Sequence, residues 1–394
     1  MKDKKIIDFK KGKQKVNFKK LIRFLRIPVV VFAVVVALFL SARLIGNVAM
    51  SNATDSLRQI KTLVSRGDGF PYSLGGKNVK KTDAIGERML IVSDDESLVL
   101  DSKAGELFSY QLGNAEPKAI SFNGRALVYS GGSNKVILQS KTEQLGSVEE
   151  GGAVVTAALA KNGWFATVHS ANGHSVLTVY NGKLEKEFIW ECSNERITAV
   201  SLSPNGRRVA VTAAGVENAD VYSRVIVFNT KETAPISDSR FSSTLFLRIF
   251  FTSSDTVIAA GDNKTVVIDK EGNKIDELTY SENSIASVEA DEKGNVAVCC
   301  SEFGGSKSVI TVFKKNGERR YAVTVNGEPS DIDIRSGKLA LALANEIIVY
   351  NGKGEEKNRF QTSSAAEEVM LCSNDIFTVE NGMLCKYWLT RGGN

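Results

Sequence analysis

The sequence predicts an all-β fold, an eight-bladed β-propeller, and three observations carry that reading. From roughly residue 79 to the C-terminus one phrase returns about every forty residues, the period of a four-stranded propeller blade. It runs apolar stretch, Asn-Gly-type turn, apolar stretch, short loop, apolar stretch, turn, fourth stretch, as in SLSPNGRRVAVTAA (201–214) and ADEKGNVAVCCSE (290–302). The third stretches are continuously apolar (Val225-Ile226-Val227-Phe228, Ile347-Ile348-Val349-Tyr350), as strands covered on both faces must be. The final unit holds only three stretches, while a lone strand-like piece, Phe70–Leu74, precedes the first.

Residues 1–26 carry eleven Lys and Arg against Asp3 and Asp8. That tail nets about +9 and the rest of the 394-residue chain about −4, against +5 overall, so the basic balance is no nucleic-acid footprint, which would need charge spread over a folded face. The tail abuts Ile27–Leu40, an unbroken apolar run, and residues 27–48 read as a transmembrane helix whose flanking Arg23, Arg26 and Arg43 can snorkel to the headgroups. The crowding of cations ahead of the run orients the tail to the cytoplasm and everything after it outside. A cleaved signal peptide is the competing reading, but the n-region is long and no small-x-small site follows closely.

Residues 49–69 contain Leu57, Ile60, Leu63 and Val64 at helical spacing, a juxtamembrane helix with Gly67 placed to end it. Arg66-Gly67-Asp68 spells an adhesion tripeptide, and a helix stop accounts for the glycine without it.

From residue 70 to 394 the chain reads as one β domain without a long amphipathic helix. First strands are expected near residues 79, 118, 154, 197, 245, 285, 330 and 367. The fourth stretches are polar or charged, as in GERRYAVTV (317–325), which protects an outermost edge from pairing with other chains. The three-stranded last unit requires 70–74 as its fourth strand, which closes the ring non-covalently. A seven-bladed ring remains the alternative if 70–112 is irregular.

Two segments resemble known propeller repeats. LVLDSKAGELFSYQL (98–112) resembles the quinoprotein-like repeat, with Phe108 where that repeat usually has Trp; VVIDKEGNKIDEL (266–278) is a weaker echo. SPNGRRVAV resembles the turn of WD40-like and TolB-like blades. The whole layout looks like an uncharacterised family of membrane-anchored propellers of Gram-positive bacteria, a domain of unknown function. That resemblance implies a fold and no active site.

Chemistry-bearing patterns are sparse. The three tryptophans, Trp164, Trp190 and Trp388, avoid the repeat's aromatic slot, which argues against a quinone. DKEGNKIDE (269–277) lacks the alternating oxygen ligands of a calcium loop. His169 and His174 share a Gly-bearing loop without a neighbouring carboxylate or thiol, a poor zinc shell and a better solvated loop. No nucleophile elbow or phosphate loop is present. Cys192, Cys299, Cys300, Cys372 and Cys385 lack framework spacing and read as free thiols in apolar runs. No catalytic, cofactor or metal residue is therefore assigned, and no cofactor is expected.

The expected role is a membrane-anchored, extracytoplasmic interaction module of the cell envelope with a protein partner. Its different-class alternative is an enzyme or small-ligand sensor with a pocket at the channel mouth. The first–second and third–fourth turns are short, so one face is plain. The second–third and blade-to-blade loops share the other face, with 213–224 and 301–308 the longest. Trp190, Arg196, Tyr222, Arg224 and Phe303 are the candidate contact residues there, being aromatic and Arg anchors of the kind that dominate protein contacts. Arg248, inside an apolar strand, either faces the channel or is paired within a blade.

Overall fold

A computed structural model describes residues 67–389 except 114–115, 254, 281–282 and 373. The basic tail, the 27–48 span and nearly all of the 49–69 segment lie outside the described residues. Among the described residues no helix is long and apolar enough to cross a membrane.

Eight four-stranded antiparallel sheets follow one another along the chain. Their first strands begin at Val79, Pro117, Val154, Arg196, Phe246, Asn283, Asp331 and Ala366, within two residues of the sequence expectation. Each sheet is a meander whose strands pair in sequence order, so the eight-bladed propeller is the observed architecture. Only the last sheet departs from that order. Its fourth strand is Tyr72–Ser73, pairing with Leu384 and Met383. The closing strand is thus two residues where the sequence suggested five. Gly67, just ahead of it, packs so closely on the Lys103–Gly105 turn of blade 1 that a Cβ has no room.

The core explains why the middle strands read as continuous apolar runs. Eight apolar clusters occur, one at each junction between neighbouring blades. Ala166, Leu177, Val211 and Ile226 join blades 3 and 4, for example, and Leu100, Met370 and Phe377 join blades 8 and 1. A strand that feeds two such clusters has both faces dry. All five cysteines are free, and Cys192, Cys299, Cys300 and Cys372 are buried.

Several third–fourth turns share a device that explains the Asp-x-x-x-Gly and Asn-Gly lettering. Asp101 Oδ1 accepts the N–H groups of Lys103 and Gly105 at 2.8 Å, and Asn181 and Asn351 repeat the bond pattern in blades 3 and 7. An Asx side chain replaces a backbone acceptor and fixes the turn tightly.

Candidate interaction face

In an antiparallel meander the second–third and blade-to-blade connections emerge at one end of the sheet. This loop face differs from the plain face mainly at blade 4. Its second and third strands, Arg208–Glu217 and Asp220–Asn229, are ten residues each, against five to seven for the corresponding strands elsewhere. The expected 213–224 loop is instead a continuous ladder to the pair Glu217↔Asp220, closed by Asn218 and Ala219 at φ 51° and 68°. Both central residues at positive φ make the tight hairpin turn whose twist matches the strands.

The hairpin outgrows its neighbours. The first strand pairs only up to Ala214 and the fourth only up to Tyr222, so residues 215–221 project with each other as ladder partners. At their centre Val216 faces Val221, 70% and 41% exposed. Gly215 sits opposite Tyr222, and a side chain there would collide with the phenol lying over it.

A polar network braces the base of this projection. Glu195, 7% exposed in the connection from blade 3, accepts the Tyr222 hydroxyl at 3.1 Å and Arg224 Nη1 at 2.9 Å. Arg224 also donates through Nε to Asp238 at 2.8 Å, forming a two-pronged pair on the neighbouring strand. The Arg240 guanidinium lies 3.8 Å from the centre of the Tyr222 ring and pairs with Glu217. Burial alone would raise the Glu195 carboxyl, but the bonds from Arg224, Cys192 and Tyr222 outweigh it and hold it below its ordinary value. Burial pushes the neighbouring Cys192 thiol up to about 11, so it is protonated at neutral pH.

The candidate contact residues are therefore differently placed. Tyr222 and Arg224 are half-buried braces of the hairpin. Trp190 is half-buried on the outer strand of blade 3, its ring 4.9 Å from that of Phe228. Arg196 is exposed at the start of the first strand of blade 4. Phe303 is 99% exposed in the turn of blade 6, followed by Gly304 and Gly305 at positive φ. Val216 and Val221 carried no sequence signal, because valine alternating with polar residues is ordinary strand lettering.

The His169–His174 segment is a hairpin rather than a solvated loop, with Ala171 paired to His174. His169 is buried, and Glu150 Oε2 lies 3.4 Å from its Nδ1, while Tyr180 donates to Glu150 at 2.8 Å. The expectation of no nearby carboxylate is corrected. Glu150 comes from the blade 2–3 connection, which the pairing of Val154 with His169 brings close. Among the described residues no three His, Cys, Asp or Glu side chains are arranged to hold a metal ion.

First strands line the central channel. Arg248 is exposed on the first strand of blade 5, where its Nη1 donates to Leu247 O at 3.1 Å. Opposite it, Lys81 meets Glu289 at 3.3 Å among Asp83, Asp331, Asp333 and Glu368. Burial pushes Asp331 up to about 8 and Asp333 up to about 7, and it also raises Asp83. These carboxylates fasten blades together. Asp331 and Asp333 accept the Val369 and Leu371 N–H groups of the next blade at 3.0 and 2.6 Å. Glu368 accepts Thr82 N–H at 3.1 Å across the closing seam, and Asp83 accepts Ser121 N–H at 3.3 Å.

A family profile described as "Family of unknown function (DUF5711)" matches residues 73–384, the whole propeller from closing strand to last strand. The chain belongs to that family. No curated protein matches the sequence. Among solved structures, Sqt1 of Saccharomyces cerevisiae is similar at 12% identity and TM-score 0.55, covering 81% of this chain and 97% of that one. The C-terminal WD40 domain of Sif2 is similar at 12% identity and TM-score 0.57, covering 79% and 95%. BamB from Moraxella catarrhalis is similar at 13% identity and TM-score 0.51, covering 78% and 96%. At such identities the likeness is one of fold.

Proposed function

We propose that the protein is a membrane-anchored, extracytoplasmic propeller that binds a protein partner through its loop face. The observation that carries this reading is the braced hairpin of blade 4. An isolated two-stranded projection is marginal in water, so this one depends on the Glu195–Arg224–Asp238 network to hold a fixed shape. A pre-shaped apolar tip loses little freedom when it is buried by a partner, and that lowers the cost of binding. Anchoring is supported by the tail of eleven cations and the apolar 27–48 run.

The small-ligand alternative has one observation in its favour, the convergence of five carboxylates near the axis. Four of them already bond backbone amides of a neighbouring blade, which accounts for their position without a ligand. Partner binding is the better-supported reading.

The test is to shorten the hairpin, replacing residues 215–221 by a two-residue Asn-Gly turn in the full chain. Crosslinked partner recovered from the envelope is expected to fall at least tenfold with the melting temperature unchanged. Undiminished recovery from a folded variant would remove the hairpin from the account.

A further inference from the structure

Residues Gly69–Lys77 form a strap across the seam between blades 8 and 1. Gly69 N–H donates to Lys103 O of blade 1 at 3.1 Å. The Phe70 ring lies on Phe377 of blade 8 with centroids 5.0 Å apart. Tyr72 and Ser73 then pair with Leu384 and Met383, and Leu74 N–H donates to Gly382 O at 3.0 Å while its side chain enters the seam cluster. Lys77 returns to blade 1 through its pair with Glu96.

This strap is the weakest outer strand of the ring. The other seven blades have fourth strands of six to eight residues; blade 8 has two. Gly382 O and Leu384 face the strap, so by strand alternation the backbone groups of Lys386 and Trp388 point to the same side. Among the described residues those groups have no backbone partner there. Within the strap, between its Leu74 and Lys77 attachments, Gly75 and Gly76 sit at φ 64° and 75° with open space around both. Two adjacent glycines in open space form a swivel on which the strap can turn without disturbing Val79.

We propose that Gly69–Lys77 is a force-released latch. Load arriving through the chain ahead of Gly67 meets the Gly69 bond to Lys103 O and then the two-residue strand before it reaches the longer ladders of any blade. Release uncovers the outer edge of Met383–Trp388 and leaves the ring folded. Blades 8 and 1 stay joined without the strap, because Met89, Leu98 and Leu100 pack directly with Met370 and Phe377, and Glu368 still holds Thr82. The source of natural load rests on the anchored reading; the latch itself does not.

Optical tweezers on the full chain test this, with one handle on the N-terminal tail and one at position 303. The expected record shows a reversible early step of about 3 nm, the contour of roughly ten residues, before the ring unfolds. Ser73 and Met383 are register partners, so an S73C/M383C disulfide should abolish the step and reductant should restore it. Leu74→Ala should lower the release force, giving a second readout if the double variant folds poorly. A ring that unfolds in one event with no earlier step overturns the latch, as does a step that persists in the oxidised variant. Membrane fractionation of the same chain reports separately on anchoring.

Discussion

The two faces of the disc are built to different rules. On the plain face the seven third–fourth turns carry at least one lysine and one carboxylate each, Lys183 with Glu185 and Lys353 with Glu355 among them. On the loop face the described connections hold Asp94, Asp95, Glu116, Glu150, Glu195, Asp262 and Glu328, with Lys77 as their single base among the described residues. A turn that only has to reverse the chain converges on one Asx-fixed solution. The uneven loop face has other demands on it, and it alone carries a projecting element. Regularity marks what the ring needs to close, and irregularity marks what it presents.

The sharpest contrast in stability should lie between the seam and the hairpin tip. Leu74 is 3% exposed in the cluster joining blades 8 and 1, so Leu74→Ala is expected to cost about 2–4 kcal/mol in urea denaturation. Val216→Ala, at an exposed tip, should stay within about 0.5 kcal/mol. Equal losses would dissolve the distinction between closure and presentation.

Glu195→Ala comes next. It strips Arg224 and Tyr222 of a buried acceptor, while Asp238 still holds Arg224, and a loss of about 1–3 kcal/mol is expected. Backbone hydrogen exchange in residues 215–221 should rise with it. Unchanged exchange would show that the hairpin needs no brace.

The channel carboxylates give a pH signature. Asp331 and Asp333 have values raised above those of the unfolded chain, so their ionisation favours unfolding. Stability is then fullest below pH 4 as far as these two groups go, and it is lost as pH rises through about 7 and 8. Melting temperature should fall between pH 5.5 and 8.5, and the paired D331N/D333N substitution, which keeps an acceptor oxygen at each site, should flatten that slope. A slope unchanged in the variant would place the titration elsewhere. The smallest effect is expected from Phe303→Ser, whose fully exposed ring should leave the melting temperature within a degree.

Much of the disc was legible in the lettering, because Asn-Gly turns and doubly covered strands such as Val225–Phe228 leave unambiguous local patterns. The closing strand was found by counting, although its pairing shrank to Tyr72–Ser73 where Leu74 turns inward and the Gly75-Gly76 swivel begins. The site was less legible. Tyr222 and Arg224 were picked out by residue type, but residue type does not reveal that Glu195 and Asp238 tie them down. Glu150 beside His169 depends on the register that pairs Val154 with His169, a contact without local sequence signal. The apolar tip Val216–Val221 was hidden because its strand looks like any other until its neighbours end.

The most direct measurement places a photo-crosslinking residue in the full-length protein in cells, at Val216 in one variant and at Lys183 in another. The loop-face account requires a discrete protein adduct from position 216 and none from position 183, with both variants folded. Adducts from position 183 alone, or equal adducts from both, would contradict it.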